Sequence, residues 1–269
     1  MLLALLVWGI AAVTAVLFVI KRWWFPGAIN AHARAFDDNF RLTLWLVGGI
    51  FLAAQLILGW VILRYRRQDR EASQSEGNNT LEWIWTTAAL ALFVGVTVIS
   101  TSIWADVHFE KPSAGALQIE ALGKQFAFSF RYPGADGKFG STDVKQINDA
   151  NGNPFGVDER DPAGKDDITS ATLRVPVNAS VVLVLKSRDV IHNFFVRELR
   201  LKQDLVPGMD IPLAFTAEKT GQFEVACSEL CGLGHHQMRT MLIVLGKDEY
   251  DAWQRQMLDQ LRGLQGDVR

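Results

Sequence analysis

Residues 226–238 read ACSELCGLGHHQM and hold the two cysteines of the chain. Cys231 lies four residues after Cys227, His235 four after that, and Met238 three further on. A disulfide across this spacing would leave His235 and Met238 without a role. Zinc would take two thiolates, an imidazole and a distant histidine, but it has no particular use for a thioether. Copper does, because thiolate, imidazole and a weak axial methionine define electron-transfer copper sites. A mononuclear site needs one cysteine. Two thiolates at this spacing can instead bridge two copper ions, each completed by one histidine and one weak axial ligand. Met238 can supply one axial group and a backbone carbonyl of the loop the other. The second histidine has a candidate in His192, within SRDVIHNFFV.

Such ligands need a rigid frame. GQFEVAC (221–227) leads into the loop and RTMLIVL (239–245) leads out. Further β-rich runs occupy 116–122, 125–132, 171–176, 180–187 and 211–217, with turn residues between them. Many short strands in this span predict an all-β Greek-key sandwich. KDEYDAWQRQMLDQLR (247–262) predicts a helix, with Tyr250, Trp253, Met257 and Leu261 at helical spacing. Residues 133–170 are rich in Gly, Asp, Asn and Pro and predict a solvated loop. DANGN within it is no EF-hand, since Pro154 and Arg160 stand where that pattern needs Gly and Glu. The loop's eight acidic residues against four basic ones would favour a basic partner.

The first hundred residues have a different character. Leu2–Ile20, Leu42–Leu63 and Trp83–Trp104 are uncharged apolar runs, each long enough to cross a bilayer. No basic residue precedes the first run and the bulky KRWWFPG follows it, so it reads as a retained helix rather than a cleaved signal. Trp23, Trp24, Trp83, Trp85 and Trp104 fit an aromatic belt, and His32 and His108 are placed at the interface as bystanders. Arg64, Arg66, Arg67 and Arg70 make 64–80 the cytoplasmic connection. That orientation sets the N-terminus inside and residues 105–269 outside, in the periplasm of a bacterium. A net charge of −2 argues against a nucleic-acid partner.

Taken with the loop, RYRR (64–67), NTLEWIWT (79–86), GKQFAFSFRYPG (123–134) and DVIHNFFV with LKQDLVPGM (189–209) resemble subunit II of haem-copper cytochrome c oxidases. The resemblance spans about residues 40–255. It implies a helical hairpin (40–104) and a cupredoxin-like CuA domain (105–250), and leaves an extra N-terminal membrane helix and linker (1–39) and a C-terminal helix or tail (251–269). It also implies that Cys227 and Cys231 bridge two coppers, with His192 and His235 as terminal ligands. Met238 and the Glu229 carbonyl would then be axial, and the Glu229 carboxylate would face a magnesium ion shared with subunit I. Glu82 would lie at a proton-path entrance and Asp204 at the subunit interface, while His236 would stand beside the ligands or at the surface. Electrons would come from a c-type cytochrome and pass to haem in subunit I, for O2 reduction coupled to proton pumping in the inner membrane.

The chain departs from the family pattern in three places. Phe126, with Phe128 behind it in sequence, stands where the family's electron-entry tryptophan is expected; Met209 replaces an arginine; and a third membrane helix precedes the usual pair. RYPGADGKFG is similar to the branch that works beside an alternative quinol-oxidising complex, alternative complex III. No Cys-x-x-Cys-His occurs, so no haem c is fused to the chain. Two other readings share these residues: the CuA subunit of a membrane nitric oxide reductase, and a membrane-anchored copper-binding assembly protein. A quinol oxidase subunit is disfavoured, because that class lacks the copper ligands.

Overall fold

The computed structural model describes residues 1–20, 26–66, 77–109, 113–158 and 160–266, with side chains as far as 263. Lys21, Arg22, Trp23, Trp24, Arg67 and Arg70 lie outside these residues. The chain divides into two compact units, one of Met1–Pro26 with Ala35–Asp106, the other of Gly27–Arg34 with Val107–Arg269.

The first unit is helical. Helices α1 (Leu2–Ile20), α2 (Ala31–Arg64) and α3 (Asn79–Phe109) are all long and apolar enough to cross a membrane. Their large apolar side chains face outward, among them Leu2, Trp45, Trp83 and Phe93. Such surface suits lipid and would be unfavourable in water. Helix α1 meets α2 at Gly59, where a Cβ would fall 2.1 Å from Trp8 Nε1. A small residue there lets the two backbones approach. Asn39 Nδ2 donates to Ser100 Oγ at 3.0 Å, joining α2 to α3.

Helix α2 starts well before its apolar run. Asn30 Oδ1 accepts from Ala33 N at 2.6 Å, the N-cap bond that begins a helix. Asn30 Nδ2 also donates to Leu199 O at 3.2 Å. Ile29 N donates to Glu198 O and Glu218 N to Ile29 O, and Arg34 pairs with Glu218 at 3.2 Å. Ile29, Asn30 and Ala33 are buried. This short segment is therefore part of the β-rich unit.

That unit is a two-sheet sandwich of ten strands. The first sheet runs β3 (Ile168–Ser170), β2 (Ala127–Tyr132), β1 (Leu117–Lys124), β5 (Ser180–Ser187), β8 (Ile211–Thr216). The second runs β4 (Leu173–Pro176), β10 (Arg239–Leu245), β9 (Gly221–Ala226), β6 (His192–Val196), β7 (Leu201–Leu205). Strands β1 with β5 and β4 with β10 pair in parallel, and the other named pairs are antiparallel. Inward rows such as Val181, Leu183 and Leu185 are fully buried, the period-two pattern of half-buried strands. Helix α4 (Lys247–Gly266) brings Trp253 within 5.0 Å of the Tyr132 ring.

The fold agrees with the predicted combination of membrane helices and an all-β sandwich. Strands β3, β6 and β7 were not among the predicted runs. The segment between β2 and β3 is also more ordered than a solvated loop. It contains two 3₁₀ turns, bridges Thr142 to Val157 and Asn148 to Asn153, and buries Phe155. Its base is a buried ion cluster, in which Arg131 Nε donates to Asp167 Oδ2 at 3.0 Å and Nη1 to Glu120 Oε2 at 3.1 Å. A sequence pattern of turn residues shows where the chain bends; it does not show that the bends bond to one another.

Candidate metal centre

Strands β9 and β10 pair up to Ala226 and Arg239, so the loop between them starts at Cys227 and ends at Met238. Cys227 N donates to Met238 O at 3.0 Å and closes its neck. Inside, His235 N donates to Gly232 O and Gln237 N to Gly234 O, a 3₁₀ turn that carries His235. The glycines are there for contact. A Cβ on Gly234 would come within 2.4 Å of the Phe126 ring, and one on Gly232, where φ is +139°, within 2.8 Å of Gln125 Nε2. A side chain at either position would displace the β1–β2 turn or strain the backbone.

The loop gathers soft donors. Cys227 Sγ lies 3.9 Å from Cys231 Sγ, and both thiols are free. Cys231 Sγ lies 3.8 Å from the Met238 sulfur and 3.6 Å from His235 Nδ1. Cys227 Sγ is 3.2 Å from the Glu229 carbonyl oxygen. His192 heads the inward row His192, Phe194, Val196 of β6, and a ring nitrogen of it lies within 4.8 Å of both cysteine sulfurs. His192 and Met238 are fully buried, and Cys227 and Cys231 nearly so. His235 is half-buried.

These residues fit a metal on their own chemistry. His192 Nδ1 is buried and has no hydrogen-bond partner. An orphaned imidazole nitrogen beside two free thiols costs free energy unless something accepts its lone pair. Burial, with the neighbouring Cys227 as a second cause, pushes the Cys231 thiol up to about 11. A cation must therefore displace a proton to bind, as thiolate ligation requires.

Two hydrogen-bonded brackets hold the ligands. On one side His192 Nε2 lies 2.7 Å from Asp189 Oδ1, Gln125 N donates to Asp189 Oδ2 at 2.8 Å, and Gln125 Nε2 donates to Cys231 O at 2.5 Å. On the other, Asn193 Nδ2 donates to Asp204 Oδ1 at 2.6 Å and Ser228 Oγ donates to Asn193 Oδ1 at 2.7 Å. Sequence reasoning found neither Asp189, Gln125, Asn193 nor Ser228. The signal available was weak: a carboxylate three residues before a ligand histidine, and an amide directly after it.

Other expected site residues are placed apart from the donors. Phe126 is at the surface, 38 % exposed, against Gly232 and Gly234. Phe128 is buried in the sandwich and stacks on Phe130, so it offers no surface to a donor. The Glu229 side chain and His236 are exposed. Glu82 stands exposed in the first turn of α3, after the Asn78 cap. Met209 is exposed.

A buried pocket of two thiols, imidazole and thioether at the loop end of a β-sandwich, on a chain with three membrane-length helices, defines a candidate soft-metal site in a cupredoxin-like domain. Comparison with known proteins specifies the family. The profile described as cytochrome c oxidase subunit II, periplasmic domain, matches residues 117–245. The chain is 36% identical over 238 residues to the alternative cytochrome c oxidase subunit 2 of Bradyrhizobium diazoefficiens, covering 87% of this chain and 83% of that one. It is 30% identical over 256 residues to cytochrome c oxidase subunit 2 of Thermostichus vulcanus, covering 86% and 77%. The crystal structure of the periplasmic domain of subunit II of cytochrome oxidase of Bradyrhizobium japonicum aligns at 31% identity with a TM-score of 0.41, over 56% of this chain and 98% of that one. The chain belongs to the cytochrome c oxidase subunit II family. It is thus a subunit of a haem-copper oxidase, an oxidoreductase complex in which subunit II partners subunit I.

Proposed function

We propose that this chain is the electron-receiving subunit of its oxidase, holding a binuclear CuA centre. Cys227 and Cys231 would bridge two coppers, His192 Nδ1 and His235 would be terminal, and the Met238 sulfur and Glu229 carbonyl axial. Bound there, the pair of coppers supplies a one-electron relay with its charge shared between two metals. The observation that carries the reading is the 3.9 Å separation of two free thiols beside the orphaned His192 Nδ1.

The protein's own contribution is rigidity and dryness. Loop closure at Cys227 and Met238, with the two brackets, holds the donors in place, so that little rearrangement would accompany a change of charge. Burial of His192, Cys231 and Met238 keeps water from the sulfurs. Phe126, exposed and lying on the loop glycines, is the proposed entry for electrons from a c-type cytochrome. The electrons would leave toward haem in subunit I for O2 reduction with proton pumping. Asp204, through Asn193 and Ser228, would couple the loop to that interface. The Glu229 carboxylate would face a shared magnesium ion, and Glu82 a proton path.

Sidedness rests on the basic residues: Arg64 and Arg66 follow the apolar stretch of α2, the composition expected of a cytoplasmic connection. The β-rich unit would be periplasmic at a bacterial inner membrane. The oxidase would work beside alternative complex III.

The test is copper loading of the full chain in detergent. Two coppers per chain, with an electron-spin signal split by two equivalent copper nuclei, is the expected result. One copper per chain with single-nucleus splitting, or retention of zinc instead, overturns the binuclear centre.

A further inference from the structure

We propose that Asp189 is a positioning residue for the metal centre: with Gln125 it fixes the tautomer and ring of His192 and the backbone of Cys231 in one hydrogen-bonded bracket. The inference rests on the copper reading above and deepens it.

The bracket begins with an acceptor that has only donors around it. Asp189 Oδ2 accepts from Gln125 N, and Oδ1 accepts from Val190 N at 2.8 Å. The remaining neighbour within hydrogen-bond distance of Oδ1 is His192 Nε2 at 2.7 Å. A carboxylate already accepting two amide protons has no proton to give, so Nε2 carries the imidazole proton. The lone pair is then left on Nδ1, the buried atom without a partner. The ring is confined elsewhere too, since a Cβ on Gly123 would lie 3.0 Å from His192 Cδ2. The bracket thus sets both the tautomer and the orientation of the ring.

The same carboxylate reaches the cysteine loop. Gln125 gives its backbone N–H to Asp189 and its side-chain Nε2–H to Cys231 O. Gln125 lies in the β1–β2 turn, Asp189 between β5 and β6, and Cys231 in the β9–β10 loop. Strands β1, β2 and β5 belong to one sheet and β6, β9 and β10 to the other. Asp189 and Gln125 thus tie both sheets together at the site, and hold a histidine and a cysteine at a common spacing. Hydrogen-bond partners of metal ligands typically account for about 10–100-fold in metal affinity.

The experiment uses the full chain in detergent, wild type and three variants, loaded with copper and titrated with a copper chelator. Paramagnetic NMR of the ligand imidazoles is recorded alongside. Asp189→Ala should bind copper about 10–100-fold more weakly and shift the His192 ring signals. Asp189→Asn keeps an acceptor for Nε2–H and should restore most of the affinity and the ring signals. Gln125→Ala cuts only the side-chain arm to Cys231. It should weaken copper binding while leaving the His192 signals in place, and it covers the case in which Asp189→Ala does not fold. Wild-type affinity and spectra in Asp189→Ala, or in Gln125→Ala when Asp189→Ala does not fold, overturn the bracket. So does an Asp189→Asn protein as impaired as Asp189→Ala. A wild-type chain that takes up no copper overturns the copper reading itself, whereas a normal centre with unaffected variants overturns the bracket alone.

Discussion

The segment between β2 and β3 and the loop between β9 and β10 leave strands of the same sandwich, and both are rich in polar groups. They satisfy those groups in opposite ways. In the first, every described carboxylate accepts at least one hydrogen bond, although Oδ1 of Asp166 and of Asp167 is buried without a partner. Asp136, Asp143, Asp161 and Asp166 bond backbone amides of the segment, Asp158 bonds Arg160, Asp149 takes Lys124 and Arg188, and Asp167 takes Arg131 and Gly140 N. In the second, the sulfurs of Cys227 and Cys231 are free and His192 Nδ1 beside them has no partner. A loop that closes its own hydrogen bonds is architecture. A loop that keeps soft donors open in a dry pocket, with its backbone pinned from outside, is prepared for a ligand.

The largest effect should come from closing one of those open valences. In Cys227→Ser the pair of thiolates is lost, and copper affinity should fall by more than the roughly 100-fold that losing a hydrogen-bond partner of a ligand costs. The stoichiometry should drop below two coppers per chain. The variant also sharpens the proton count. In the wild type the Cys231 thiol, pushed up to about 11, is protonated at neutral pH. Its proton must leave as metal binds, so affinity should rise with pH up to that value. Copper titrations from pH 6 to 9 (about that range) should show the slope, and a pH-independent wild-type affinity would contradict thiolate ligation.

The architectural loop breaks elsewhere. Arg131 is 1% exposed on its side chain and sits between Asp167, at 2%, and Glu120, at 10%. Arg131→Met leaves two buried carboxylates short of a partner, although Lys186 still reaches Glu120 at 2.8 Å. Removing one member of a buried ion pair costs about 3–5 kcal/mol. Thermal unfolding should show that loss in full, while folded molecules keep the wild-type copper spectrum. Stability loss below about 1 kcal/mol would mean that water already reaches the cluster.

The contrast between the two loops was only half legible in the sequence. Cys227, Cys231, His235 and Met238 could be read because ligand chemistry restricts residue type at fixed local spacing. The strands around them could be read from period-two runs, and the membrane helices from uncharged length. His192 could be picked out as an available earlier histidine, but its approach to the thiols is set by β6 pairing with β9 and not by spacing along the chain. Asp189 and Asn193 stayed hidden because a polar residue beside a turn looks the same whether it faces water or a ligand. The segment 133–170 was read as solvated for a related reason. Some of its amide–carboxylate bonds are local, but others join distant residues, such as Ser141 with Asp161 and Ala135 with Asp166, and no short window contains both partners of those.

Asp149 ties the first segment to the residues beside Gln125 and Asp189, and it gives the smallest and most discriminating effect. Its carboxylate bonds Arg188 at 3.0 and 2.9 Å and Lys124 at 2.6 Å. Lys124 directly precedes Gln125, and Arg188 directly precedes Asp189. The hydrogen bonds from Arg188 and then Lys124 hold the Asp149 carboxyl down at about 2, against an ordinary value of 3.8. A depressed carboxylate stabilises the fold above its unfolded value, and the contribution is lost as pH falls from about 4 through about 2. Asp149 is 41% exposed, so solvent screens both pairs and they should contribute no more than about 1 kcal/mol each. Asp149→Asn should therefore lose little stability at neutral pH and flatten the acid side of the stability curve. Copper affinity should change by no more than about fivefold, the equivalent of about 1 kcal/mol. A loss as large as that expected for Asp189→Ala would show that the segment between β2 and β3 braces the metal ligands through Lys124 and Arg188. The division between an architectural loop and a functional one would then fail at this residue.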